Sequence, residues 1–452
     1  MKRQGSGIRE QGSGVRFQVP GVPEAASLAA KARAPIARAP SIRVFCERVG
    51  NQQSLAYLLW NGSKLKCFAG LARAAATVVV ALLLAGCRPH DFPQYPPNYR
   101  EYAYVTNGGS DTVTVLDVVD VRVDRELPVG QHPVAVAASP TRNEIYVVNA
   151  GATGANGSVT VIDAEHNAVV ATIPVHRQPL SIDLDADGAR AYIANSGSNS
   201  VSVIDLKARR EIAQFGVGEQ PVAARLAPDG KTLVVANQQG NSVTIMDPSD
   251  GHVRAVFAGC PGAASPAILP DSSKAFVACS AGHQVMVIAL ENSKTRPNQP
   301  DQLEALMDVG RAPVDLAMKP DGGEIFVSNS LSDSVSEIYN TTDEVADTYM
   351  IGADPVRGLV SQDNSLLYVA NQRSQEVTVY SIVDGRRVAP SLHVGDGPAA
   401  MAFSAAGHLL FVVDRRSGDV AVMRTASQSL FTLLPAGRDP SAIVDKAFKV
   451  AQ

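Results

Sequence analysis

The chain has 452 residues, a net charge of −4 and only 5% aromatic residues, with Gly, Val, Ala and Ser plentiful. This balance excludes a nucleic-acid binder, which would gather a basic excess on one face, and suits an all-β globular protein. The five cysteines divide by position, Cys46, Cys67 and Cys87 near the start and Cys260 and Cys279 far downstream, with no CxxC and no CxxCH for haem attachment.

Residues 1–64 are basic, rich in Gly and Pro and without apolar periodicity, and read as an extension. Residues 65–87 follow as a leader. Lys64, Lys66 and Arg73 precede an unbroken apolar run, Ala74–Leu84, of signal-peptide length and too short for a comfortable membrane span. The run ends in Leu84-Ala85-Gly86-Cys87, which resembles the lipobox of bacterial lipoproteins. That resemblance implies a diacylglyceryl thioether on Cys87, cleavage just before it, and a membrane anchor; two or more acyl chains hold stably where one does not. A leader this deep in the chain suggests that translation starts near Leu65. Arg88, rather than Asp, at the position after the cysteine points to the outer membrane. Residues 88–100, rich in Pro, read as an extended tether.

From residue 101 onward one outline recurs. Runs of the type "YVTN" close at Asn107, Asn149, Asn195, Asn237, Cys279, Asn329, Asn371 and Asp414, at intervals of 42 to 50 residues. Sixteen residues before each but the first lies Pro133, Pro179, Pro221, Ala263, Pro313, Pro355 or Pro398, usually within GxxP. Each unit holds four short apolar or alternating segments separated by Asp/Gly turns, the pattern of antiparallel hairpins. Four strands with turns take about 40 residues, the period of a β-propeller blade. A single such sheet cannot bury both faces, so neighbours must stack around an axis.

The expected fold is therefore a single all-β propeller over residues 101–452, with eight four-stranded blades. Its closure is legible at the two ends. The first YVxN has no GxxP before it, and a last GxxP, Gly437–Pro440, has no YVxN after it. The segment Pro440–Asp445 should supply the innermost strand of the N-terminal blade. Two insertions interrupt the period, at 151–157 and 291–306.

These eight copies resemble the YVTN family of β-propellers, found in archaeal surface-layer proteins and bacterial envelope proteins. The resemblance covers about residues 101–446. Relatives in that family more often have seven blades, which makes seven the alternative count.

Loops entering the innermost strands and loops following YVxN should open on one face, where propellers usually hold their site. They carry His132, Arg177, Arg311, Arg438 and Asp439 in the first set, and His283, Arg373, Arg415 and Arg416 in the second. The recurrent Asn is expected to be structural, bonding nearby backbone and tolerating a left-handed conformation at a strand end. Positions two and four residues beyond each GxxP proline are mostly small, as a crowded axis requires. Against that background Asp315 and Arg357, and Asp183 and Arg225, fall on consecutive blades. Charge at such a place should be paired, which predicts two ion pairs between blades, serving either structure or a ligand. The segment "DLDADG" at Asp183–Gly188 imitates half a calcium loop, but Ala194 stands where such a loop needs a bidentate Glu.

Cys260 and Cys279 replace the GxxP Gly and the YVxN Asn of one unit and should lie at the same end of adjacent strands. An oxidising envelope favours a disulfide there, worth roughly 3 kcal/mol for a loop of about 20 residues; two separate thiols are the alternative. No metal cluster, nucleophile elbow or phosphate loop appears, and no cofactor is expected. Two functions fit. One is a monomeric, lipid-anchored binding or scaffold module for an envelope protein, a glycan or a small ligand, its site drawn from Asp183, Arg225, Asp315, Arg357, His132, Arg177, Arg311, His283 and Arg373. The other is a periplasmic propeller enzyme, lactonase-like or dehydrogenase-associated, working at the central tunnel. Fold does not choose between them.

Overall fold

The computed structural model describes residues 93–450, apart from 293, 294 and 298. The basic extension, the leader, Cys87 and the first tether residues lie outside the described residues. Within them the strands form eight separate antiparallel sheets. Blade 1 combines Tyr99–Asn107, Thr112–Asp117 and Arg122–Pro128 with Pro440–Lys449. Blades 2 to 8 follow in chain order over residues 133–177, 179–216, 221–258, 263–308, 313–350, 355–393 and 398–435. Each innermost strand packs against the innermost strands of both neighbouring blades, so the sheets close into an eight-bladed propeller.

Head and tail meet in blade 1. Tyr104 lies opposite Val444 and Val105 opposite Ile443, and the pairing runs from Tyr99–Lys449 to Asn107–Pro440. The clasp satisfies the backbone groups that an open first blade would leave at an edge. Before the first strand, Tyr95 stacks on Tyr99 at 4.6 Å and shares a 3.0 Å hydrogen bond with His408 of blade 8. The propeller's contacts thus reach into the segment that reads as tether.

The second and third strands are buried almost throughout, as in Ile145-Tyr146-Val147-Val148 and Val234-Val235-Ala236. Their alternation does not separate core from solvent, because both faces are covered by neighbouring blades. It separates two apolar layers. Eight apolar clusters result, one at each junction between blades. One example joins Tyr104, Val113 and Val115 of blade 1 to Ile145, Val147 and Ile162 of blade 2. Fourth strands alternate at the rim and leave Val170, Val256 and Met350 exposed. In blade 7 the fourth strand is split into Arg386–Arg387 and Leu392–His393, with Pro390, which cannot donate to the ladder, between them.

The two insertions lie in connections between strands, 151–157 in the upper loop after Asn149 and 291–306 leading into the fourth strand of blade 5. Residues 151–157 lengthen the second hairpin of blade 2, whose strands run Asn156–Asp163 and Ala168–Arg177. In the 291–306 segment the nearly buried Asp301 accepts two hydrogen bonds, at 2.9 and 3.1 Å, from Arg254 of blade 4.

Candidate functional site

The repeated Asn and the GxxP Gly form one device. Asn107, Asn149, Asn195, Asn237, Asn329 and Asn371 are buried. Each side-chain amide donates to a hydroxyl on the third strand, at 2.8–3.0 Å to Thr114, Thr160, Ser202, Thr244, Ser336 and Thr378. A Cβ on Gly130, Gly218 or Gly352 would lie within 2.6 Å of the Cγ of Asn149, Asn237 or Asn371. Only glycine lets the loop close over the amide. The Asn is structural, as expected: its amide bonds third-strand hydroxyls, at Asn149 and Asn371 backbone carbonyls as well, and the residue is not left-handed. The left-handed positions are elsewhere. One is the residue preceding the innermost strand in all eight blades: His132, Gln178, Gln220, Gly262, Ala312, Asp354, Gly397 and Asp439.

In blade 5 the same two positions are Cys260 and Cys279, and they are joined by a disulfide. In blade 8 the Asn position is Asp414, fully buried, with Gly395 N–H donating to it at 2.9 Å. Burial pushes its carboxyl up to about 8, and the neighbouring Asp419 adds to the shift. At the other end of the clasp Asp445 is pushed up to about 9 by burial and then by the neighbouring Glu101. Glu101 is itself buried and accepts Tyr99 O–H at 2.5 Å and Ala405 N–H at 2.8 Å. Two acid pairs therefore flank the junction of blades 8 and 1. Neither was apparent in the sequence; the Asn-to-Asp change at 414 was the available signal.

Both expected ion pairs between blades form. Arg225 reaches Asp183 at 3.3 Å and Arg357 reaches Asp315 at 3.0 Å. In each pair the second carboxylate oxygen accepts a main-chain N–H of the next innermost strand, Leu226 at 2.7 Å and Gly358 at 3.0 Å. Ser265 of blade 5 adds a third hydrogen bond to Asp315 at 3.2 Å. The partners differ in exposure. The Asp183 and Asp315 side chains are 23% and 7% exposed, whereas both arginines are 46% exposed. The carboxylates are spent on the wall, and the guanidiniums keep donors open to solvent among otherwise small residues such as Ala135, Ala223 and Ala400.

The other predicted residues are distributed around the upper loops. His132 bonds Gly108 O through Nδ1 at 3.1 Å, and its N–H donates to Asp111. His283 Nδ1 accepts Ala312 N–H at 3.2 Å, the same service that Asp111, Asn199 and Asp333 carboxylate or amide oxygens give in their own blades. The imidazole of His283 thus replaces an Asx side chain in a loop clamp. Arg311 donates to Leu331 O at 2.9 Å, and Arg373 pairs with Asp333 at 2.7 Å. Arg177 is exposed, its main-chain N–H held by Ser198. These residues share a face but do not converge on one point as a catalytic set. Asp185, in the calcium-like segment, spends its carboxylate on the N–H groups of Ala189 and Arg190, as a tight turn requires.

Charge on this face is uneven. Cross-loop pairs Arg373–Asp333, Arg416–Asp396 and Arg415–Asp439 form an arc over blades 6, 7, 8 and 1. The loops after Asn149, Asn195 and Asn237 are neutral and rich in Gly, Ser and Gln.

No protein-family description matches the sequence, and no curated protein matches it either. Many solved structures share the fold. Dihydro-heme d1 dehydrogenase NirN, in complex with DHE, aligns with a TM-score of 0.60 at 17% identity, over 79% of this chain and 77% of that one. Citrobacter koseri AztD aligns with a TM-score of 0.59 at 14% identity, over 78% and 100%. A candidate 6-phosphogluconolactonase from Bacteroides uniformis aligns with a TM-score of 0.54 at 15% identity, over 77% and 100%. At these identities the likeness establishes the β-propeller and nothing finer.

Proposed function

We propose that this propeller is a binding module of the bacterial envelope. In this reading it is anchored through lipid on Cys87 and takes a protein, glycan or small ligand on its upper face at the tunnel mouth. The observation that carries the reading is the asymmetry of the tunnel pairs. Asp183 and Asp315 are consumed by main-chain N–H groups and one guanidinium nitrogen each, while Arg225 and Arg357 remain half exposed. A wall that seals its acceptors and presents its donors suits capture of an acceptor-rich ligand. General acid–base chemistry, by contrast, needs a titratable group free to exchange a proton with the reacting atom, and both carboxylates are engaged by a guanidinium and a main-chain N–H. The arc of cross-loop pairs around blades 6 to 1 supports the same face, because it holds mobile arginine side chains in defined positions at the rim.

The test uses the intact chain in cells. A photoreactive residue replacing Arg177 or Arg311 on the upper loops should give a discrete adduct in intact envelopes. One replacing Val383, 83% exposed on a lower turn, should give none, and Cys87→Ser should release the chain from the membrane fraction. Adducts from the lower turn alone would remove the upper-face reading, and membrane retention of the Cys87→Ser variant would remove the anchor.

A further inference from the structure

The loops that close the ring gather upper-loop residues into a cleft that does not include the tunnel pairs. It lies on the upper face between blades 8 and 1, with a volume of about 380 Å³, and is walled by Arg415, Arg416, Arg438, Asp439, Ser110 and the Gly418 turn. Three arginines meet two carboxylates there, Asp439 in the wall and Asp396 beside it, on a chain whose net charge is −4.

Each arginine is positioned differently. Arg415 forms a two-point pair with Asp439, Nε to Oδ1 at 2.5 Å and Nη2 to Oδ2 at 3.1 Å, which leaves Nη1 uncommitted. Arg416 donates Nε to Asp396 at 2.9 Å and Nη2 to Gln372 O at 3.1 Å, again leaving Nη1. Its guanidinium lies over Gly397, where a Cβ would come within 3.1 Å of Nε. Arg438 is held only through its backbone, its N–H by Ser110 and its carbonyl by Gly109. Among the described residues its guanidinium has no protein partner. The repeat supplies an independent comparison. At the two positions filled by Arg415-Arg416 the other blades carry Gly108-Gly109, Ala150-Gly151, Ser196-Gly197, Gln238-Gln239, Ser280-Ala281, Ser330-Leu331 and Gln372-Arg373. A doubled arginine occurs only where the ring closes.

We propose that this closing cleft binds a ligand bearing two negative charges, through carboxylate or phosphate groups that take the spare donors of Arg415, Arg416 and Arg438. Guanidinium forks match these planar or tetrahedral oxyanions, and prior fixation of two of the three arginines reduces the ordering cost of binding. The inference sharpens the upper-face reading by naming a ligand class, but it rests on residues separate from the tunnel.

Calorimetric titration of the intact chain at low ionic strength with inorganic phosphate, citrate and trigalacturonate tests it. Saturable binding of at least one probe is expected, weakened by about tenfold or more in Arg438→Ala and in Arg416→Ala, reduced by added salt and unchanged in Arg386→Ala, on a lower turn of blade 7. Binding of phosphate or citrate alone would identify a small soluble anion, and preference for trigalacturonate an acidic glycan; either supports the cleft. Arg438→Ala removes no hydrogen bond or ion pair within the protein, so its thermal midpoint should match the parent and separate lost binding from lost fold. Three results would overturn the proposal: no saturable binding of any probe, full binding by Arg438→Ala, or a loss confined to Arg357→Ala. The last would place the anion in the tunnel and leave the tunnel-mouth reading standing without this cleft.

Discussion

Cys260 and Cys279, with Cα atoms 4.7 Å apart, stand where a glycine and an asparagine press together in most other blades. The disulfide therefore replaces a buried hydrogen-bonding device with a covalent one. The exchange extends one strand further: Met286 occupies the position that carries a Ser or Thr hydroxyl in the Asn-bearing blades without the 151–157 insertion. Restoring the repeat as Cys260→Gly/Cys279→Asn should lower stability by about 3 kcal/mol or more, because the new amide finds no hydroxyl. Adding Met286→Thr should recover about 1 kcal/mol. Chemical denaturation of the three proteins checks this; a triple variant no more stable than the double would sink the idea of a linked exchange.

Acidity should affect the closing junction in a defined direction. Asp414 and Asp445 hold their protons to about 8 and about 9 in the folded chain, against 3.8 ordinarily. Between those limits the native state binds more protons than the unfolded state, so stability falls as pH rises from about 4 through 8 to 9. Asp414→Asn should flatten the part of that slope below about 8, its amide donating to Asp419 with no proton to lose. Denaturation midpoints at pH 5 and pH 9 for parent and variant give the comparison. Equal slopes in the two proteins would contradict the assignment.

The two halves of a tunnel pair should not be equivalent. Asp315→Ala strips the acceptor from Gly358 N–H and Ser265 as well as from Arg357, and should cost about 1–3 kcal/mol. Arg357→Ala leaves Asp315 with two donors and should cost less, near 1 kcal/mol. Removing Arg225, whose partner is more exposed, should cost well under 1 kcal/mol. Thermal denaturation of the three single variants ranks them, and an Arg225→Ala loss exceeding that of Asp315→Ala would reverse the reading.

Deleting residues 437–452 removes the innermost strand of blade 1. The edge of Tyr99–Asn107 is then unpaired and the layers around Val105 and Tyr104 open on one side. Loss of a single cooperative transition and self-association are expected, read by calorimetry and gel filtration. A soluble, monomeric, cooperatively melting truncation would mean that the clasp is dispensable.

Much of this was readable from the chain alone, for a physical reason. Blade number, strand order and the head-to-tail clasp follow from a pattern that repeats locally, and each repeat reports the same neighbours. The tunnel pairs were readable too, since Asp315 and Arg357 occupy one repeat position on adjacent blades, as do Asp183 and Arg225. The Asn partner was missed although its signal was present, in the Ser or Thr seven residues beyond Asn107, Asn195, Asn237, Asn329 and Asn371. His283 looked chemical and proved to be a loop clamp, because its backbone conformation and the Ala312 N–H beside it are not visible in a residue name.

What the sequence by itself determined is the repeating unit and therefore the ring, since periodic burial on both faces of a small sheet leaves closure as the way to cover every blade. What only the tertiary structure decided is the chemistry at the place where the ring shuts. There Arg415 meets Asp439 and Glu101 meets Asp445, the second pair more than 300 positions apart. No local period relates such residues, so their burial, protonation and spare donors exist only after the two ends have been brought together.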